Sequence, residues 1–99
     1  MKRRAPFLTF LLTSAALAQS PVTPPSFQMP GGSGCAGEIA RFRAVMENDY
    51  SSGNVAKSVY LQVTREIDAA GKICAAGLDA KASSMIRASQ TRHGYSTHM

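Results

Sequence analysis

Apolar residues recur every three or four positions from Cys35 to Tyr95, and this spacing constrains the fold more than any other feature of the chain. A first stripe, with steps of four, three, four and four, contains Cys35, Ile39, Phe42, Met46 and Tyr50. A second stripe contains Val55, Val59, Val63, Ile67 and Ala70. Both have the period of an amphipathic α-helix, and no stretch alternates as a half-buried strand does. The spacing therefore predicts two helices.

A turn is predicted between the two stripes, over residues 48–54. Gly53 can adopt a left-handed conformation there, and Asn54 is a suitable N-cap for the second helix. Glycines at positions 71 and 77 are expected to break or kink the chain after the second stripe.

A third helix is predicted from Leu78 or Asp79 to Arg92. Its inner face would carry Leu78, Ala82, Met85, Ile86 and Ser89. Gly94 followed by Tyr95 fits a C-terminal cap with a hydrophobic contact. The fold class predicted from these patterns is all-α: an antiparallel helical hairpin plus a third helix.

The first twenty residues have the three-part pattern of a secretory signal peptide. Basic residues occupy positions 2–4, an apolar run extends from Phe7 to Ala18, and this run ends in the small-residue pattern Ala16-Leu17-Ala18. The run is too short to cross a bilayer as a resident helix. We predict a signal peptide over residues 1–18, cleavage after Ala18, export to the periplasm or beyond, and no stable membrane span after cleavage.

The remaining chain divides into a linker, a domain and a tail. Residues 19–34 contain four prolines and three glycines but only three large apolar side chains, which favours a disordered linker. The folded domain is predicted over residues 35–95, close to the size at which one core is marginal. Residues 96–99 are predicted to form a flexible tail.

Net charge argues against nucleic acid as a partner. The whole chain carries +5, with eleven basic and six acidic residues. Removal of the three basic residues of the signal peptide leaves eight against six, a net charge of +2. That value is ordinary for a small soluble domain and lacks the dense basic stripe that a phosphate backbone requires.

Two cysteines, Cys35 and Cys74, are expected to meet at the open end of the hairpin. About 17 residues separate Cys35 from a turn near Ser52, and about 22 residues lead from that turn back to Cys74. At the helical rise per residue, the two legs of the hairpin differ in length by only ~7 Å. In an oxidising compartment such a pair is typical of a disulfide. Free or redox-active thiols and an intermolecular bridge are the alternatives, although the C-x-x-C redox motif is absent.

Matches to enzymatic motifs are incomplete. The Gly-x-Gly-x-x-Gly pattern at residues 32–37 follows a proline-rich segment and not the strand that a dinucleotide site needs. Glu47 with Asp49, and Glu66 with Asp68, are spaced two apart, so each pair diverges around a helix. We therefore expect no enzymatic activity and no cofactor.

Two candidate binding features are left. His93, His98 and Met99 near the C-terminus have the imidazole and thioether groups that bind copper, although His93 is also explained as a residue at the end of a helix. Tyr60 and Leu61 lie at the edge of the second stripe or off it, and form a candidate interaction surface unless the third helix covers them.

Several short runs distinguish the predicted domain: Cys35, residues 38–46, residues 58–60 and 65–67, residues 74–77 and residues 92–95. With these runs the chain resembles small secreted or periplasmic hypothetical proteins of alphaproteobacteria. The resemblance covers most of the mature chain and implies a Gram-negative periplasm, but it carries no known activity. We expect a non-enzymatic protein-interaction or accessory module with an unidentified periplasmic protein partner. The alternative is periplasmic copper binding through the histidine and methionine residues of the tail.

Overall fold

A computed structural model describes residues 27–99, which form three packed α-helices. Helix α1 spans Gly34–Ser51, α2 spans Lys57–Ala75 and α3 spans Asp79–Arg92. The part of the chain described contains no strand, and the predicted all-α class is confirmed. The predicted signal peptide and the first residues of the predicted linker lie outside the described residues.

One hydrophobic core joins the three helices. Its buried members are Phe42, Met46, Val63, Ile67, Ala70 and Ile86. Burial of each large apolar side chain contributes about 1.5–3 kcal/mol, so these few residues supply much of the stability of so small a domain. The predicted stripes are confirmed in their central parts, whereas Tyr50, at the end of the first, is 37% exposed.

All three helices end in the same backbone arrangement, a Schellman motif with glycine in the left-handed conformation. The glycines are Gly53, Gly77 and Gly94, with φ of +77°, +85° and +78°. At the end of α2, for example, the N–H of Gly77 donates to the carbonyl of Cys74 and that of Leu78 to the carbonyl of Ile73, at 2.9 and 3.2 Å. Each of these motifs provides hydrogen-bond donors for backbone carbonyls that the helix end would otherwise leave without a partner.

Three local expectations are wrong. Asn54 does not cap α2, which begins at Lys57 without a side-chain cap, because the N–H of Asn54 closes the motif that ends α1. Gly71 does not break α2, since a glycine inside a helix costs only about 1 kcal/mol relative to alanine and packing offsets that cost. Leu78 is 51% exposed instead of internal, because it precedes α3 and has a non-helical backbone conformation.

The predicted disulfide is confirmed within one chain. Cys35 is bonded to Cys74, with their Cα atoms 5.9 Å apart. The bond joins the first turn of α1 to the last turn of α2 and thereby closes the open end of the hairpin.

Contacts extend past both ends of the predicted domain. Before α1, the carbonyl of Gly32 accepts a hydrogen bond from Nη1 of Arg41 at 2.7 Å, and Gly37 is buried against the Gly32 backbone. After α3, Met99 is half-buried against the core, and its sulfur accepts a hydrogen bond from Nε2 of Gln90 at 3.6 Å. The last residues of the predicted linker and the end of the predicted tail therefore pack on the domain.

Candidate functional site

An open apolar groove of about 630 Å³ follows the seam between α1 and α2. Its described lining residues all belong to these two helices: Ala36, Ile39, Ala40, Arg43, Ala44, Glu47, Gly71, Cys74 and Ala75. The groove starts beside the disulfide, where Cys74 lines it, and extends along α1 to Glu47. Since α3 contributes no described lining residue, the groove is a surface of the hairpin that the third helix leaves open.

Small side chains create this groove. On α1 an alanine occurs at every fourth position, at Ala36, Ala40 and Ala44, and α2 contributes Gly71 and Ala75 at the same spacing. Residues four apart share one helix face, so the two helices present their smallest side chains along one seam. This signal was present in the sequence, but a search for large apolar stripes misses it because alanine and glycine fall outside such a stripe.

The groove carries one positive and one negative side chain, Arg43 and Glu47, one helical turn apart on α1. Arg43 Nη2 lies 3.1 Å from Asp68 Oδ1 on α2. The carboxylate of Glu47 accepts a hydrogen bond of 2.5 Å from the hydroxyl of Tyr60. Both charges are therefore positioned by contacts to α2, and the floor between them is apolar.

The predicted interaction residues lie outside the groove lining. Tyr60 is half-buried and stacks on Tyr50 of α1, with ring centroids 4.2 Å apart and an interplanar angle of 12°. Its hydrogen bond to Glu47 raises the pKa of the Tyr60 hydroxyl, with smaller contributions from desolvation and from the carboxylate charge. Leu61 is 43% exposed. Tyr60 therefore supports the groove through Glu47, and Leu61 is an exposed side chain outside the groove lining.

A second polar cluster surrounds Glu66 on α2. Its carboxylate accepts a hydrogen bond of 2.5 Å from the Ser89 hydroxyl and lies 2.9 Å from Arg92 Nη1 and 3.2 Å from His93 Nε2. Burial alone would raise the pKa of Glu66, but the Ser89 hydroxyl, the Arg92 charge and the other donors outweigh it. The net effect is a pKa below the ordinary value.

The Glu66 cluster contains serine, histidine and carboxylate, but its arrangement is that of a clamp between helices. In a catalytic triad the imidazole lies between the hydroxyl and the carboxylate and takes the proton of the nucleophile. Here Ser89 donates directly to Glu66, is almost fully buried, and shares the same carboxylate oxygen with His93. Sequence reasoning missed the cluster because its members are 23 and 27 residues from Glu66.

The predicted copper ligands make other contacts. His93 contacts Glu66, the Met99 sulfur accepts a hydrogen bond from Gln90, and His98 is exposed. Within residues 27–99, the one group of three His, Cys, Asp or Glu ligand atoms near one another combines Asp79 with the two cysteines, whose sulfurs form the disulfide. Copper binding by the tail stays a prediction.

No known protein family matches this chain. No curated protein and no solved structure matches it either. Among the residues described, no helix combines the length and the apolar character needed to cross a membrane. The function is therefore inferred from the geometry and chemistry of the groove.

Proposed function

We propose that this protein is an exported, non-enzymatic interaction or accessory module of the periplasm, and that it binds a protein partner in the groove between α1 and α2. The observation that carries the proposal is the groove itself, a continuous apolar surface that lies outside the one small core of the domain. Contiguous exposed apolar surface with a polar rim is typical of binding sites.

The shape of the groove favours a helical partner. Rows of alanine and glycine let another helix approach closely, because a ridge of side chains can enter the space that small residues leave. Helix-in-groove recognition is a common mode of protein binding and uses apolar anchors at helical spacing. Arg43 and Glu47 would then fix the orientation of the partner through charge pairing at the rim.

The disulfide supports the predicted compartment. Bonds such as Cys35–Cys74 form and persist in oxidising environments such as the periplasm. They are also common in small exported domains whose core alone gives marginal stability.

Photo-crosslinking tests this proposal. A benzophenone side chain is introduced at Ala40, in the groove, and in a matched variant at Ala80, an exposed position of α3. Both full-length chains are expressed with export into a Gram-negative periplasm and irradiated there. We expect protein adducts from position 40 and few from position 80. Equal yields from both positions, or no adduct from position 40, would contradict the proposal.

A further inference from the structure

We propose that a small pocket between α1, α3 and the tail, residues 96–99, binds a zwitterionic small molecule of the size of glycine or alanine. The pocket has a volume of about 70 Å³. Its described lining residues are Glu38, Arg41, Gln90, Thr97 and Met99. None of them lines the α1–α2 groove, so this site is separate from the one on which the proposed function rests.

Two buried oxygen atoms in the pocket lining require a hydrogen-bond donor. Glu38 Oε1 and Gln90 Oε1 are both buried, and neither has a hydrogen-bond partner within residues 27–99. Gln90 is only 4% exposed. Buried polar atoms of folded proteins are nearly always hydrogen-bonded, and each exception requires an explanation. Because both atoms are acceptors and both residues line one pocket, a single ligand with several donors accounts for both.

The second polar atom of each side chain already has a partner. Glu38 Oε2 lies 3.1 Å from Nη2 of Arg87 on α3. Gln90 Nε2 donates to the sulfur of Met99 at 3.6 Å. Each side chain is therefore held by a neighbour and keeps one oxygen for a ligand. Groups that are positioned before the ligand arrives lose less entropy on binding.

The charges around the pocket favour a zwitterion over a simple cation. Glu38 supplies one negative charge, whereas Arg41 in the lining and Arg87 beside the Glu38 carboxylate supply two positive charges. This surplus of positive charge opposes the binding of a metal ion or of a simple amine. A ligand with both an ammonium and a carboxylate group has no net charge, and its carboxylate can pair with the Arg41 guanidinium.

Arg41 retains donors for such a carboxylate. Its Nη1 donates to the carbonyl of Gly32, and this bond holds the guanidinium near the start of α1. A guanidinium has five N–H donors in a planar fork, so the others can contact a ligand. The ammonium of the ligand would then donate to Glu38 and Gln90, while its carboxylate contacts Arg41.

The size of the pocket restricts the ligand to the smallest amino acids. A volume of about 70 Å³ is room for about five to seven water molecules at ~10–15 Å³ each. Glycine and alanine have about that number of non-hydrogen atoms. Met99 contacts the Gln90 amide only through its sulfur, a weak acceptor, and its flexible side chain can rotate as the ligand enters.

Calorimetric titration of the wild-type protein tests the proposal. We expect saturable binding of one glycine or one L-alanine per chain, and no binding of L-phenylalanine, which is too large for the pocket. Methylamine has only the ammonium group and acetate only the carboxylate, so each should bind about 10-fold more weakly than glycine, or less. Calcium chloride should give no binding. Absence of glycine binding at millimolar concentration, or methylamine binding as tight as that of glycine, would overturn the inference.

Two substitutions locate the site. Gln90→Leu removes an unpartnered oxygen at similar volume, and Arg41→Met removes the charge that pairs with the carboxylate. We expect each to raise the dissociation constant of glycine about 10-fold or more. Arg65→Met, the same substitution at an exposed position of α2, is the matched control and should leave it unchanged. Unchanged affinity in folded Gln90→Leu and Arg41→Met would overturn the inference and mean that the two oxygens bind water only.

A measurement on the wild type keeps the test decisive if a variant does not fold. In NMR spectra of the labelled protein, addition of glycine should shift the backbone amide signals of Glu38, Gln90 and Thr97. The signals of Ala40 and Ala44 in the α1–α2 groove should not move. Shifts confined to the groove, or no shifts at all, would overturn the inference and leave the proposed function untouched.

Discussion

The carboxylate of Asp79, the first residue of α3, accepts a hydrogen bond of 2.9 Å from the backbone N–H of Cys35 in the first turn of α1. The residue preceding α1, Ser33, makes no side-chain hydrogen bond to the helix. Asp79 therefore caps the N-terminus of α1, although it lies 44 residues away in the sequence. This role usually belongs to the residue that directly precedes the helix. Together with the disulfide, this bond joins all three helices at one end of the domain.

Removal of this contact should destabilise the protein measurably. We expect Asp79→Ala to lower the free energy of unfolding by about 1 kcal/mol, since a buried N–H loses its acceptor and the N-terminus of α1 loses a negative charge. Asp79→Asn keeps an acceptor and should lose less. Urea denaturation measures both, with Asp68→Ala, which removes an exposed ion pair, as the control. An equal loss in Asp79→Ala and Asp68→Ala would argue against the capping role.

The disulfide should be the largest single contribution to stability. Cys35 and Cys74 are 39 residues apart, and closing a loop of that size stabilises a fold by about 4 kcal/mol in the chain-entropy account. The variant C35S/C74S and the reduced wild type should therefore both unfold at much lower urea concentration. A decrease of less than ~1 kcal/mol in the free energy of unfolding would show that the unfolded chain without the disulfide is already compact. The reduced wild type is alkylated to keep the thiols apart, and oxidised wild type exposed to the same alkylating reagent is the control.

Two glycines in helices should respond oppositely to alanine. A Cβ on Gly37 would overlap the backbone carbonyl of Gly32, whereas a Cβ on Gly71 would meet nothing within 4 Å. We expect Gly37→Ala to lower the free energy of unfolding by about 1–3 kcal/mol, because the Gly32 segment must move. Gly71→Ala should raise it by up to about 1 kcal/mol through helix propensity. Thermal and urea melts at monomeric concentration measure both, and changes of the same sign would contradict this account.

Alkaline pH should weaken the fold through Tyr95. Burial, together with a 2.7 Å hydrogen bond from its hydroxyl to Asp49, raises the pKa of Tyr95 from 10.0 to about 12. Because the folded protein holds this proton more tightly than the unfolded chain, the stabilisation is complete below pH 10 and is lost as the pH rises from 10 to 12.

The comparison with Tyr95→Phe isolates this effect. Phenylalanine keeps the edge contact with Phe42, whose ring centroid lies 5.5 Å from that of Tyr95, but it has no proton to lose. We expect the variant to be less stable than the wild type at pH 8 by about 1 kcal/mol, since a hydrogen bond to a charged group is lost. The difference should shrink between pH 10 and 12 in urea titrations. A difference that stays constant would mean that Tyr95 does not titrate as described.

The helices were predictable from sequence because their determinants are local. The spacing of Phe42 and Met46, or of Val63 and Ile67, follows directly from the helical period. Gly53 and Gly94 likewise act through the backbone of the residues beside them. The disulfide followed from the two helix lengths and the expected compartment.

The polar contacts and the groove could not be predicted from the sequence, because they depend on how each helix is rotated about its axis relative to the others. Arg43 is spaced for a pair with Glu47 but contacts Asp68 instead. Glu66 contacts Ser89 and Arg92 of α3, although no residue near Glu66 in the sequence indicates these contacts. The groove was missed because most of its lining residues are alanine and glycine, which do not produce a stripe of large apolar side chains.

The glycine motifs that end the three helices have a consequence for the disulfide. Each of these motifs is made by hydrogen bonds that span only a few residues, so the C-terminal end of each helix is set by local contacts. Cys74 lies three residues before Gly77, so its position relative to the end of α2 is set locally. A slip of one helical turn between α1 and α2 would displace the two thiols by about 5.4 Å, which is beyond the reach of a disulfide whose Cα atoms are 5.9 Å apart in the native alignment. The disulfide is therefore compatible with the native alignment of α1 and α2 and not with one shifted by a turn.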